Sequence, residues 1–316
     1  MNIEKIFDYA RENNISDIHL LEGEKIYFRK DGEIIEYDGT DTVSKEELLE
    51  ICNGKIEEDF SYTDSKSQRY RVNSFLTRGK LALVIRIINK EPIKLKEKFI
   101  NKLIDEKILS LKDGLVLVTG ITGSGKSTTL ANIIEKFNEN KNLKILTIED
   151  PIEYIFENKK SLIIQRELGK DIESFEKALK SSLRQDPDVI ILGEIRDEES
   201  LYSALKLAET GHLVFSTLHT MNTVESVNRL ISMVRSEKKD FIRKQLASIL
   251  RFVLSQELHR EKKTIPIFEI LNNTKAVANL ILNNKLNQIP TLIESGIENF
   301  MITKSKYLKN LEIESD

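Results

Sequence analysis

The chain has 316 residues, and its 48 basic against 51 acidic side chains give a net charge of −3, which argues against a surface that coats nucleic acid. Hydrophobic residues make up 40% and charged residues 31%, the balance of a folded globular protein rather than a disordered one. The single cysteine, Cys52, excludes an internal disulfide and any zinc site that needs two cysteine ligands.

The first part of the chain, residues 1–95, is predicted to form a small α+β domain. Asp31-Gly32 and Arg78-Gly79 are typical of hairpin turns between strands. Ser44-Lys45-Glu46-Glu47 has the form of a capping box and predicts the start of a helix. A lysine-rich stretch with Pro92 follows, and a linker is expected over 96–112. The predicted strands cover 17–20, 25–29, 33–37, 69–76 and 80–88.

Residues 113–316 have a different pattern, in which short apolar segments alternate with longer helical ones. This alternation predicts an α/β fold, a parallel sheet with helices on both faces. From about residue 223 the pattern is almost entirely helical, with one strand candidate at 265–270. The other predicted strands are 115–119, 145–148, 189–192 and 213–217, and the predicted helices are 128–138, 174–184 and 198–209.

A glycine-rich loop follows the first of these strands and opens a helix. Its sequence, Gly120-Ile121-Thr122-Gly123-Ser124-Gly125-Lys126-Ser127, fits the P-loop pattern at every fixed position. Backbone N–H groups of such a loop surround phosphate oxygens, the lysine reaches the β- and γ-phosphates, and the serine hydroxyl ligates Mg²⁺. The sequence therefore predicts an ATPase with ATP and Mg²⁺. The nucleotide-binding residues are predicted to be Gly120, Thr122, Gly123, Ser124, Gly125, Lys126, Ser127 and Thr128.

Acidic residues follow two further strands. Glu149 lies at the carboxyl end of its strand, the edge that faces the ligand in an open α/β sheet, where a carboxylate can activate water. The alternative for residues 147–154 is a solvated acidic loop. Glu194 follows four apolar residues, as in a Walker B segment, whose acid is associated with Mg²⁺. Ser127 and Glu194 are the predicted metal-associated residues.

Two of the four histidines, His212 and His219, flank one strand. Because side chains alternate along a strand, they are predicted to point to opposite faces and not to share a metal ion. His219 is at the carboxyl end, where it is a candidate to sense the γ-phosphate. For His212 a structural hydrogen-bonding role is an equal alternative.

Together these segments resemble the secretion and type IV pilus ATPase superfamily over essentially the whole chain. Residues 147–154 are similar to the family's Asp box, 193–197 to its Walker B segment with glutamate, and 210–220 to its His box. The resemblance is strongest to PilT-like retraction ATPases, through Ala-Glu-Thr-Gly-His at 208–212 and Ser-Asp-Ile-His-Leu at 16–20. It implies a RecA-like core, a PAS-like N-terminal domain, and a hexameric ATPase that powers pilus retraction in twitching motility.

The resemblance also implies site residues and partners. It implies that Glu149 is the general base. It also implies that arginines on the strands of the N-terminal domain act on the nucleotide of a neighbouring subunit, and the positions that match this pattern are Arg71, Arg78 and Arg86. The alternative is that these arginines are ordinary surface residues of edge strands. The implied partners are five further copies in a homohexamer and a platform protein of the inner membrane. The expected location is therefore cytoplasmic, at the inner face of the membrane.

One departure from the retraction pattern concerns a C-terminal helix. The family's A-I-R-N-L-I-R-E stands here as Ala-Val-Ala-Asn-Leu-Ile-Leu-Asn at 276–283, without either arginine. This leaves open a motor that drives pilus assembly, type II secretion or DNA uptake. A nucleic-acid translocase is less well supported, because the sequence lacks a basic stretch with interspersed aromatic residues. A nucleotide-gated scaffold without catalysis is also less well supported, because the catalytic residue types are present.

Overall fold

The computed structural model describes residues 3–39, 42–88, 92–260 and 264–315. Within them the chain divides into two compact units. The first contains the residues up to Pro92 together with Pro151–Ile155, and the second contains the remainder. Among the described residues, no helix is both long enough and apolar enough to cross a lipid bilayer.

The first unit is a six-stranded antiparallel sheet with two helices. Its strand order is β3-β2-β1-β6-β5-β4. All five strands predicted for this part of the chain are confirmed, whereas α1 and β4 were not predicted. The elements are α1 (Ile3–Glu12), β1 (Asp17–Leu21), β2 (Tyr27–Lys30), β3 (Glu33–Glu36), α2 (Lys45–Cys52), β4 (Asp59–Thr63), β5 (Arg69–Thr77) and β6 (Lys80–Ile87).

Local sequence explains the turns and the helix start in this unit. Asp31 and Gly32 have φ values of 50° and 90°, and Arg78 and Gly79 have φ values of 52° and 76°, so both hairpins turn through two left-handed residues. The capping box at Ser44 is formed in both directions: Ser44 Oγ accepts from the Glu47 amide, and the Glu47 carboxylate accepts from the Ser44 amide at 2.9 Å.

The second unit is built on a seven-stranded sheet in the order β13-β12-β7-β11-β10-β8-β9. All neighbouring strands are parallel except β12 and β13, which form an antiparallel pair. The strands are β7 (Gly114–Thr119), β8 (Lys144–Glu149), β9 (Leu162–Glu167), β10 (Val189–Glu194), β11 (Leu213–Leu218), β12 (Leu250–Arg260) and β13 (Thr264–Asn272). The α-helices are α3 (Lys98–Glu106), α4 (Lys126–Asn140), α5 (Phe175–Ser182), α6 (Glu198–Glu209), α7 (Thr223–Ser232), α8 (Lys239–Ile249), α9 (Lys275–Leu282), α10 (Ile289–Ser295) and α11 (Lys304–Ser315).

Both faces of this sheet are covered by apolar layers. In β7, Leu115 and Leu117 pack into one hydrophobic cluster, while Val116 and Val118 pack into the other. All four side chains are fully buried. This explains why the central strands read as continuous apolar runs rather than as alternating ones.

Three features of this unit differ from the expectations. The expected linker over 96–112 contains α3, which packs in the second unit through Ile100, Leu103 and Ile104 at helical spacing; the surrounding lysines mask this pattern in the sequence. Residues 89–91, at the start of the lysine-rich stretch, lie outside the described residues. The part after 223 is not almost entirely helical, because β12 was missed and only β13 was predicted, and β9 was also missed.

Candidate functional site

The carboxyl ends of four neighbouring parallel strands meet at one edge of the second unit's sheet. Thr119 at the end of β7 pairs with Leu218 at the end of β11, and Glu194 at the end of β10 pairs with Thr217. β8, which ends at Glu149, lies beside β10. The P-loop, both predicted acids and His219 therefore emerge at the same edge, which is where open α/β sheets bind their ligands.

The P-loop has a conformation that only glycine accommodates at two positions. Gly120 and Gly125 have φ values of 148° and 85°. A Cβ on Gly120 would lie 2.3 Å from the backbone oxygen of Gln256, so no side chain fits there. The Lys126 ammonium folds back over the loop, where it donates to the carbonyls of Gly120 at 2.8 Å and Ile121 at 3.0 Å.

The loop fits a phosphate group by two further observations. The Ser124 hydroxyl is buried and, within the described part of the chain, has no hydrogen-bond partner. Helix α4 begins directly after Gly125, and no side chain caps its first N–H groups. Unsatisfied donors at a helix N-terminus, next to a lysine ammonium, form a site for an anion.

Strand β12 contacts the P-loop and the start of α4 through Gln256, a residue that the motifs did not indicate. The Gln256 side chain accepts a hydrogen bond from Thr129 Oγ1 at 2.6 Å, and both side chains are buried. A Cβ on Gly125 would lie 2.8 Å from Gln256 Nε2. Because Gln256 lies 127 residues from Thr129, no local motif could indicate this contact.

The two predicted acids are held differently. Glu149 Oε1 accepts from Thr147 Oγ1 at 2.6 Å and from Gln165 Nε2 at 3.3 Å, which orient the carboxylate. Glu194 Oε2 accepts from Arg196 Nε at 2.8 Å, and this hydrogen bond raises the pKa of Arg196 further above its usual value. Arg196 also lies 3.9 Å from the Asp150 carboxylate, so its guanidinium connects the loops that follow β10 and β8.

His219 lies between the P-loop and Glu194. Its Nε2 is 3.4 Å from Glu194 Oε1, and its Nδ1 is 3.4 Å from Thr122 Oγ1. His212 contacts neither: its Nδ1 lies 3.1 Å from both the Leu207 carbonyl and Thr210 Oγ1, at the end of α6. The structure thus gives His212 the structural role and brings His219 to the site.

The predicted arginines belong to the first unit. Arg86 Nε donates to Asp17 Oδ1 at 2.8 Å, while 64% of the Arg86 side chain is exposed. Arg78 is exposed at the tip of the β5–β6 hairpin. Arg71 lies opposite Arg86 on the sheet, 3.8 Å from the Asp59 carboxylate.

A family model described as "Type II/IV secretion system protein" matches residues 1–277. The chain belongs to this family. A P. aeruginosa PAO1 protein named type IV pilus retraction ATPase PilT is 36% identical, with 98% of this chain and 94% of that protein covered. An uncharacterized protein of Escherichia coli K12, YggR, is 40% identical, with 96% of each chain covered.

The fold is also that of a solved relative. A crystal structure of the pilus retraction motor PilT with bound ADP matches with a TM-score of 0.86 at 36% identity, over 98% of this chain and 93% of that one. The resemblance stated from the motifs is confirmed, as is the fold class, a RecA-like P-loop core with a small α+β N-terminal domain. With its own P-loop intact, the chain is a P-loop ATPase of this family.

Proposed function

We propose that this ATPase is a homohexameric motor that withdraws subunits from a type IV pilus and so powers twitching motility. The observation that carries the proposal is the match over nearly the full length of both chains to a pilus retraction ATPase. The intact P-loop, acids and His219 at the sheet edge support a motor that hydrolyses ATP rather than one that only binds it.

The phosphates of ATP bind in the P-loop. Lys126 exchanges its two carbonyl contacts for β- and γ-phosphate oxygens, and the N–H groups from Gly120 to Thr128 surround the rest. Mg²⁺ neutralises phosphate charge when it is bound. The Ser127 hydroxyl and Glu194 carboxylate fit this ion, since hard cations prefer oxygen ligands and Mg²⁺ keeps several waters. Among the described residues there is no group of three or more carboxylate, histidine or cysteine side chains that could bind a metal ion. We therefore propose that the phosphates of ATP supply part of the coordination of Mg²⁺.

Glu149 acts as the general base. Its carboxylate, oriented by Thr147 and Gln165, accepts a proton from the water whose oxygen attacks the γ-phosphorus. The bond from the γ-phosphorus to the bridging oxygen of ADP breaks, and phosphate leaves. His219, between Thr122 and Glu194, reports the presence of the γ-phosphate to the loop that follows β11.

Arg78 and Arg86 act on the nucleotide of a neighbouring subunit. A guanidinium spreads its charge over the transferring phosphoryl group and stays protonated. Asp17 accepts from Arg86 Nε, and among the described residues the two terminal nitrogens of Arg86 make no hydrogen bond, so they are available to an anion. Hydrolysis therefore requires assembly, and the hexamer is the active species.

The motor works against a platform protein of the inner membrane, and this contact places it at the cytoplasmic face. No nucleic-acid partner is proposed.

A second candidate, a motor that drives assembly or secretion, is favoured by one observation: positions 278 and 282 of α9 carry alanine and leucine in place of the arginines of the retraction pattern. Leu282 is 45% exposed, so this uncharged face is available to a partner.

A deletion strain tests the proposal and separates the two candidates. Loss of a retraction motor is expected to leave cells with more surface pili and without twitching. Loss of an assembly motor leaves cells without pili. Complementation with the wild-type gene should reverse either phenotype and complementation with Lys126→Ala should not, since the P-loop lysine is needed for turnover. A deletion strain with normal pili, twitching and secretion would overturn both candidates.

A further inference from the structure

The segment that joins β11 to α7, residues 219–222, is called here the His219 loop. Its backbone is held by side chains from distant parts of the second unit. The Met221 carbonyl accepts from Ser255 Oγ of β12 at 3.0 Å and from Lys304 Nζ of α11 at 2.8 Å. The Met221 amide donates to Glu225 Oε2 at 3.0 Å. The loop is therefore held at an exposed residue, since 62% of Met221 is accessible.

Lys304 is an unusual residue for its position. It opens helix α11, where the macrodipole disfavours a cation. Its side chain is nevertheless only 23% exposed, because the ammonium reaches across to Met221 and lies 3.1 Å from Glu257 Oε2 on β12. Ordering a long lysine side chain also costs conformational entropy, so the charge-assisted contacts must offset both this cost and the unfavourable interaction with the helix dipole. This placement is explained by its contacts to the loop and not by the helix.

The other end of the loop is at the nucleotide site. His219 lies 3.4 Å from both Thr122 of the P-loop and Glu194 of β10. A shift of Met221 changes the backbone direction at His219, since one residue separates them. The contact between Lys304 and Met221 spans 83 residues of sequence, and Lys304 lies beyond the part matched by the family model, which ends at residue 277.

We propose that Lys304 is a positioning residue for ATP hydrolysis: by holding the Met221 carbonyl it keeps His219 between Thr122 and Glu194. Its role is to hold the loop, not to react, and it acts only through the loop. The inference rests on the proposed role of His219 in turnover. It also gives the C-terminal helix α11 a direct mechanical connection to the catalytic edge, so that a load on this helix changes the rate of hydrolysis.

The variants Lys304→Met and Lys304→Arg test the proposal in the full-length assembled enzyme. Methionine keeps the aliphatic stem and removes the donor, whereas arginine keeps a cationic donor. We expect Lys304→Met to lower kcat about three- to tenfold. Its KM for ATP should stay within about twofold of the wild-type value, because Lys126 and the P-loop are unchanged. Lys304→Arg should restore most of kcat. Lys306→Met is the matched control on the same turn, since Lys306 Nζ donates to the Glu294 carbonyl and not to the loop. It should have wild-type kcat.

A double-mutant cycle with His219→Ala separates positioning from general destabilisation. If Lys304 acts through His219, Lys304→Met has no further effect on kcat in the His219→Ala background. An equal fold-loss in both backgrounds, or an equal loss from Lys306→Met, overturns the proposal while the role of His219 stands. A His219→Ala enzyme with wild-type kcat overturns that role and this inference together. The pilus function is judged separately, by piliation of the deletion strain.

Discussion

The hydrogen bond between Thr129 and Gln256 is expected to join the P-loop helix to strand β12 energetically. Thr129 Oγ1 donates to Gln256 Oε1 at 2.6 Å, and the two side chains are 0% and 3% exposed. We choose Gln256→Leu and Thr129→Val because each removes one partner and keeps most of the volume. Their combination removes both polar groups and leaves an apolar contact in the same place.

The magnitude follows from the burial. Leaving a buried donor or acceptor without its partner costs about 1–3 kcal/mol, whereas removing both partners is close to neutral. Gln256→Leu strands the Thr129 hydroxyl, which can turn toward the carbonyl of the preceding helical turn, so we expect a loss of about 1–2 kcal/mol in the free energy of unfolding. Thr129→Val strands the Gln256 carbonyl oxygen, with a similar loss. Because the double variant removes both polar groups, it should lose little stability, which is a coupling of about 2–4 kcal/mol between the two single changes.

Urea denaturation of the four proteins measures these free energies, provided that the m values agree. ADP affinity is the second readout. Because Gln256 also packs beneath Gly125, the single variants should bind ADP about three- to tenfold more weakly, as the start of α4 shifts by a fraction of an ångström. Losses that add to within about 0.5 kcal/mol would refute the coupling, and unchanged ADP affinity would refute a role of β12 in shaping the P-loop.

Four further variants test the proposed catalytic roles and the coupling surface. Lys126→Ala should abolish phosphate release and severely weaken ATP binding with an unchanged unfolding midpoint; normal turnover would contradict the P-loop assignment. Glu149→Gln should bind ATP but slow turnover by about 100-fold or more, and a wild-type rate in a phosphate-release assay would exclude it as the base. Mixing Arg86→Ala and Glu149→Gln subunits should restore part of the activity if one interface carries both intact groups, whereas a fully active monomer would rule out arginines acting in trans. The pair Ala278→Arg and Leu282→Arg should leave the ATPase rate unchanged and alter piliation; an equal loss of both would place α9 in the catalytic cycle.

The central strands and the P-loop could be predicted from the sequence because their causes are local. Leu115–Val118 must be apolar throughout since both faces of the sheet are covered, and the glycines of the loop are required by the backbone itself. The two hairpin turns of the first unit follow in the same way from residues that adopt left-handed conformations.

Strand β12 could not be predicted in this way. Its residues Leu250–Arg260 follow α8 without a break, and they pair with β7, more than 130 positions earlier in the chain. Whether such a segment becomes a helix or a strand is decided by the sheet edge that it meets, which local propensity does not describe. The contacts of Gln256 and Lys304 could not be predicted for the same reason, because each residue contacts a partner that only the tertiary fold brings near.

We expect the alteration in α9 to affect the direction of the motor rather than hydrolysis, because α9 and the proposed catalytic residues lie on different surfaces. Val277 and Ile281 are fully buried and attach α9 to the core beside α8, whereas the altered positions 278 and 282 lie on the outward side. The hydrogen bonds given above for Lys126, Glu149, Glu194 and His219 are made with residues outside α9. The catalytic contacts can therefore be complete in a motor whose partner surface has changed. An arginine would make a charge-assisted contact to an acidic partner, which alanine and leucine cannot. If the outward side of α9 engages a partner, we therefore expect that partner to present a less acidic surface or to engage the motor elsewhere.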